Sequence, residues 1–230
     1  MSSQALLRRR LKMLGRQAEQ GEDGEPVHED PYWPLGVMGD PTAARALFFI
    51  TKPFLARLIG PLVKDASCLF LIRYGIPSRA TLRTLHWFVN SLNLPIGFVG
   101  DLDVYDLMTF MAIDESFRKL RPRGDSRCLY AGISDPWLEL ARSFIKPSIT
   151  LEKILVRQKD LDQERWRIMK RLYPHLESII GKESASLLDR GVELDVVALC
   201  QRTFYRRGYI ERLVDLVLSQ VRPSRAGRRR

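Results

Sequence analysis

Short unbroken apolar runs alternate with stretches of helical spacing along the first part of this chain, and helical spacing takes over towards its end. The runs Cys68–Ile72 (C-L-F-L-I) and Ile96–Val99 (I-G-F-V), and a third at 128–131, are bounded by Gly, Pro or charged residues and predict buried strands. Between them, Leu82, Leu85, Val89 and Leu92 mark the buried stripe of a helix over Arg79–Leu92, started by Pro77 and Ser78. Val104, Leu107, Met108 and Met111 share one face of a second helix, over 104–118. Strand, helix, strand in that order is the βα unit of a parallel sheet. Upstream, Ala46, Leu47, Phe49 and Ile50, then Phe54, Leu55, Leu58 and Ile59, predict a helical hairpin or a helix kinked at Pro53.

From Pro136 the pattern is helical, with segments at 137–144, 151–156 and 161–173 and at Leu187–Leu188, and with Gly181 and Gly191 as stops. Ile210, Leu213, Val214, Val217, Leu218 and Val221 give the clearest amphipathic stripe, in the last helix. The expected architecture is therefore α/β, a small parallel sheet flanked by helices with an all-helical C-terminal extension. Its parts are an arm and linker (1–30), a helical lead-in (31–66), an α/β core (67–135), a helical part of the same domain (136–221) and a basic tail (222–230).

Composition adds little to the fold but narrows the function. No apolar stretch approaches the roughly 20 residues of a membrane span, and the N-terminus lacks the apolar core of a signal peptide. Three widely separated cysteines, Cys68, Cys128 and Cys200, argue against a disulfide framework or a zinc site. A soluble protein of a reducing cytoplasm is the expectation, nucleoid-associated if prokaryotic. The net charge of +10 points to an anionic partner, with nucleic acid the usual one. Part of that excess is terminal, at Arg8–Arg10 and between Arg222 and Arg230, where it serves solubility equally well.

The chemistry concentrates at 94–106, L-P-I-G-F-V-G-D-L-D-V-Y-D. The predicted strand ends in Gly100, so Asp101 and Asp103 emerge where open α/β sheets bind their ligands, beyond the carboxyl ends of the strands. Residues two apart in extended chain point the same way, so both carboxylates can aim at one Mg²⁺. Two other roles stand beside this one. Asp103 is placed to cap the following helix, with Asp106 as the acidic partner of a capping box. Arg73 and Arg79, around the loop after Cys68–Ile72, can bind a phosphate or neutralise the aspartates through a salt bridge without metal. Asp135, after the third run, reaches the same sheet edge or caps the helix from Pro136. His28 and His175 have no clustering partner as metal ligands, His86 reads as an interface or surface histidine of the helix before the central strand, and Trp87, Trp137 and Trp166 fit packing better than base stacking.

The order of these parts resembles the Toprim domain of the topoisomerase VI A subunit and its meiotic DNA-breaking relatives. The resemblance covers roughly residues 67–221. It rests on the strand ending G-D-L-D, the strand ending A-G-I-S-D, and the tail segments R-G-V-E-L-D-V-V-A-L (190–199) and R-R-G-Y-I-E-R-L-V (206–214). It implies Mg²⁺ at Asp101 and Asp103, double-stranded DNA as partner, a homodimer, and strand cleavage of the topoisomerase (isomerase) class. Two departures qualify the activity. The family places a glutamate just after its first strand, whereas the loop after Cys68–Ile72 reads R-Y-G-I-P-S-R, and Asp65 lies at the opposite end. The family's breaking tyrosine sits on an upstream winged-helix domain, a pattern that residues 1–66 do not have, and nothing makes Tyr74 its substitute. Cleavage is then weak or depends on a partner subunit. A non-catalytic DNA-binding or scaffolding module and another Asp-x-Asp phosphate-transfer enzyme are the alternatives. In the second class, Tyr105 occupies the position where haloacid-dehalogenase-type phosphatases want a small Thr or Val, and nucleotide-sugar glycosyltransferases usually have a longer sheet before the motif.

Overall fold

The computed structural model describes residues 36–40, 43–52, 67–73, 75–77, 79–120, 128–144 and 155–196, together with 198, 208, 211, 212 and 215. Five strands form the main sheet: β1 (Gly36–Met38), β2 (Ala46–Ile50), β3 (Cys68–Ile72), β4 (Ile96–Val99) and β5 (Cys128–Tyr130). Their spatial order is β1-β3-β2-β4-β5. β3, β2, β4 and β5 run parallel, and β1 adds an antiparallel edge beside β3. Every residue of β2, β3 and β4 is buried, which is why these strands read as continuous apolar runs rather than alternating ones. Helices α1 (Arg79–Leu92), α2 (Val104–Leu120) and α3 (Asp135–Phe144) follow β3, β4 and β5 in turn.

Aromatic side chains lock the register that positions the end of β4. Phe49, Phe98 and Tyr130 are direct cross-strand neighbours on β2, β4 and β5. Their rings stack at centroid distances of 6.1 Å and 6.0 Å, and Phe110 of α2 closes over the row at 5.8 Å from Phe98 and 5.1 Å from Tyr130. Phe48 and Phe70 stack at 5.5 Å and add an aromatic contact between β2 and β3. Burying such rings contributes about 2–3 kcal/mol each, so the exit of β4 is held by the core and not by its own loop.

The structure corrects the expected helical lead-in. Ala46–Ile50 is a central strand, with β3 on one side and β4 on the other. An unbroken A-L-F-F-I run buried on both faces carries no periodicity to distinguish strand from helix, and its short length and aromatic content are what decide. Cys68–Ile72 is consequently the second strand of the parallel set and not the first. The helical reading of Phe54, Leu55, Leu58 and Ile59 falls outside the described residues, as do the arm at 1–30 and the tail at 222–230.

The stretch after Pro136 is not all helical either. Its helices α4 (Asp160–Leu172), α5 (Leu176–Ile180) and α6 (Lys182–Asp189) are accompanied by β6 (Leu155–Arg157) and β7 (Val192–Leu194). The two strands pair antiparallel, Val156 opposite Glu193. Strands of three residues are too short to display their alternation, so helical spacing over 151–156 prevailed in the sequence. Gly181 and Gly191 do stop helices, at φ of +94° and +70°. Met108, expected on the buried face of α2, is exposed. Most of the last predicted helix lies outside the described residues; Glu211, Arg212 and Asp215 are helical and exposed. No helix among the described residues is long and apolar enough to cross a membrane.

Candidate metal centre

The sheet order has a reversal point between β2 and β4, since the chain goes from β2 outward to β3 and then returns to the other side of β2. Crevices at such points, beyond the carboxyl ends of the strands, are where open α/β sheets bind ligands. Asp101 follows β4 there, and Thr51 and Lys52 follow β2. Lys52 Nζ lies 2.9 Å from Asp101 Oδ2 across the crevice.

Asp101, Asp103 and Asp106 each present a carboxylate oxygen, all three within 4.8 Å of one another. Asp101 and Asp106 are buried, and Asp103 is partly so. Local structure explains the convergence. Asp103 caps α2, its Oδ1 accepting the Asp106 N–H at 2.7 Å. That cap turns the chain so that Asp106 sits one turn in and faces back. Its Oδ2 accepts the Asp101 N–H at 2.7 Å and the Thr51 hydroxyl at 2.8 Å. A capping-box acid ordinarily returns to the N–H of the cap residue itself. Here Asp106 reaches two residues further, so the expected capping pair becomes part of a three-acid cluster. Gly100 is what allows the approach: a Cβ there would stand 2.6 Å from Asp106 Oδ2.

Electrostatics leave this cluster short of positive charge when its carboxylates are ionised. Burial first, and then Asp103 and Asp101, push Asp106 up to about 7. Burial pushes Asp101 up to about 6, against the opposing pull of Lys52. Asp103 is also raised by its burial. Lys52 is desolvated as well, yet its bond to Asp101 and the charges of Asp106 and Asp103 leave its pKa raised, so it remains an ammonium. Three carboxylates facing one ammonium leave two negative charges uncompensated when ionised. An all-oxygen, doubly negative donor set fits a hard divalent cation. Such a cation must share Asp101 with Lys52, while Asp101 Oδ1 is held in place by the Val196 N–H at 2.9 Å.

The remaining predicted site residues fall elsewhere. Arg73 donates from its guanidinium to Thr81 Oγ1 at the start of α1, and the cation that meets Asp101 is Lys52. Arg79 begins α1, and its side chain lies outside the described residues, as does Tyr74. Asp135 begins α3 but caps a different helix: its carboxylate accepts the N–H groups of Glu183 and Ser184, at 3.0 Å and 2.8 Å, in the first turn of α6. Those bonds outweigh its desolvation and hold its carboxyl below the ordinary range. His86 is buried against Phe117 and Ser116 between α1 and α2.

Sequence reasoning does not find Thr51 and Lys52, because the pattern before them fits a helix as well as a strand. The signal was present, since A-L-F-F-I-T-K-P has the same run-then-polar form as I-G-F-V-G-D. The position after the first parallel strand, where the resemblance expects a glutamate, is thus T-K and not R-Y-G. No protein-family model matches the chain, and no curated protein matches it significantly.

Proposed function

We propose that this chain is a Toprim-like protein of DNA metabolism that holds Mg²⁺ with Asp101, Asp103 and Asp106 and meets DNA phosphates through that ion. The observation that carries the reading is the buried three-carboxylate cluster at the reversal point of a parallel sheet. The net charge of +10 supports a polyanionic partner. Arg73 follows β3 and Arg79 begins α1 just beyond; both are assigned to phosphate contacts in this reading, for which Arg73 gives up its bond to Thr81.

Bound there, Mg²⁺ supplies neutralisation of a phosphate's negative charge. The chain's own residues do the positioning. Asp103 fixes the start of α2, Asp106 ties that helix to the Asp101 backbone, and Lys52 keeps Asp101 ionised. No carboxylate follows β2 to move a proton, since Thr51 and Lys52 stand there. In this reading strand cleavage is weak or draws on groups from a partner subunit. A second reading, a non-catalytic DNA-binding or subunit-scaffolding module, is favoured by one observation: Lys52 and the Val196 N–H already occupy both oxygens of Asp101.

Affinity for a short DNA duplex separates these readings when it is titrated against salt in Mg²⁺ and in EDTA. The proposal expects tighter binding in Mg²⁺ that is lost in the Asp101→Asn/Asp103→Asn variant. Salt-dependent binding indifferent to metal and to both aspartates would leave the scaffolding module. Metal-dependent phosphomonoester hydrolysis indifferent to DNA would sink both in favour of another phosphate-transfer enzyme.

A further inference from the structure

Two stretches of one pattern meet at the metal centre. G-D-L-D-V (100–104) and V-E-L-D-V (192–196) run antiparallel, with Leu102 directly opposite Leu194. The Leu102 N–H donates to the Leu194 carbonyl at 2.9 Å, and the Leu194 N–H donates back to the Leu102 carbonyl at 3.3 Å. Both leucines are wholly buried. In an antiparallel pair, opposed residues share a face and their neighbours take the other. Asp101, Asp103, Glu193 and Asp195 therefore emerge together on the face away from the leucines, Asp103 across from Glu193 and Asp101 across from Asp195.

Each stretch ends by capping a helical turn: Asp103 accepts from the Asp106 N–H, and Asp195 accepts from the Ala198 N–H at 2.9 Å. The second acid of each pattern is accounted for by its cap, and Asp101 by Lys52 and Val196. Glu193 has neither a cap nor an ion pair among the described residues. Like charges set directly opposite across strands are destabilising, so the Asp103–Glu193 pairing calls for something between them.

A second observation comes from the end of β6. Gln158, just after β6, is only 6% exposed, and neither atom of its side-chain amide has a hydrogen-bond partner of ordinary geometry. The amide lies against Glu193 and favours its ionised form, although burial and the charge of Asp103 push that carboxyl up overall. A buried, underused amide beside a carboxylate that has no ion pair is an arrangement set to orient that carboxylate towards a ligand.

We propose that Glu193, which stands outside the 4.8 Å group of the three aspartates, closes onto the divalent cation of that centre as a further ligand, oriented by Gln158, so that cation binding ties the β6–β7 ribbon to the sheet edge. The inference rests on the metal reading above and goes beyond it by making the C-terminal ribbon part of the centre.

Mn²⁺ serves as the probe, with binding followed by electron paramagnetic resonance and with amide hydrogen exchange of residues 192–196 measured with and without the ion. Wild type should bind Mn²⁺ and slow its exchange over 192–196. Glu193→Gln should lose roughly 10- to 100-fold in affinity together with that protection, and Glu193→Asp should recover part of both. Asp195→Asn, which removes the neighbouring cap acid and a charge felt by Asp101 but no proposed ligand, should keep the affinity within a few-fold. If Glu193→Gln binds as wild type does while Asp103→Asn does not, the ribbon is no part of the centre and the metal reading stands. If wild type binds no Mn²⁺, both fall. Should Glu193→Gln fail to fold, wild type decides: Mn²⁺ binding without added protection over 192–196 overturns the inference.

Discussion

Asp106→Asn should strengthen the metal-free protein above neutral pH and leave it no stronger in acid. In the folded chain Asp106 is pushed from 3.8 to about 7 by burial and by Asp103 and Asp101. Its folded pKa lies above its unfolded one, so the folded state holds the proton more tightly. The stability this gives is fully present below about pH 4 and drains away as pH rises to about 7. The whole shift corresponds to about 4 kcal/mol, of which about 3 kcal/mol is lost between about pH 5 and about pH 8. An asparagine oxygen can still accept the Asp101 N–H and the Thr51 hydroxyl, so the substitution removes charge and keeps shape. Urea unfolding in EDTA at about pH 5 and about pH 8 should therefore show wild type losing about 3 kcal/mol more than Asp106→Asn across that interval. Equal losses in the two proteins would refute the reasoning, because they would mean that Asp106 bears no ionisation penalty and that the cluster does not call for a cation.

Millimolar Mg²⁺ should raise the melting temperature of wild type at about pH 8 and have little effect at about pH 5, where protons compete for the same raised carboxylates; calorimetry at both pH values checks this. Lys52→Met should cost about 3–5 kcal/mol in EDTA by leaving Asp101 buried and unpaired, and Mg²⁺ should recover most of that loss, as read by unfolding with and without the ion. Gly100→Ala should cost about 1–3 kcal/mol, since its Cβ would meet Asp106 Oδ2 at 2.6 Å and the Phe98 ring at 2.7 Å. The same change should weaken Mn²⁺ binding by displacing Asp106, which a titration of the folded variant would show.

Local chemistry was enough for the elements whose pattern is local. Cys68–Ile72 and Ile96–Val99 are short apolar runs between breakers, Arg79–Leu92 and the helix after Asp103 carry their own stripes and start signals, and all four stand where the pattern puts them. The G-D-L-D turn and the cap at Asp103 were legible for the same reason, because a strand exit and a helix start are set by residues within one turn of each other. Ala46–Ile50 was not, since a strand buried on both faces shows no period and only its neighbours β3 and β4 make it a strand. That one tertiary fact decides the site's electrostatics by carrying Lys52 and Thr51 to Asp101 and Asp106 across 49 and 55 positions of chain.

The sequence by itself determined that this chain builds a parallel α/β sheet and delivers aspartates to the end of one strand. Tertiary structure alone decided their company: Asp106 bonded back to the Asp101 backbone, a lysine and not an arginine as counter-charge, Asp135 diverted to the start of α6, and Glu193 brought opposite Asp103 by the Leu102–Leu194 bridge. The physical reason is reach. Periodicity and capping act over a few residues, whereas burial and charge act between whichever segments the packed core brings within a few ångströms.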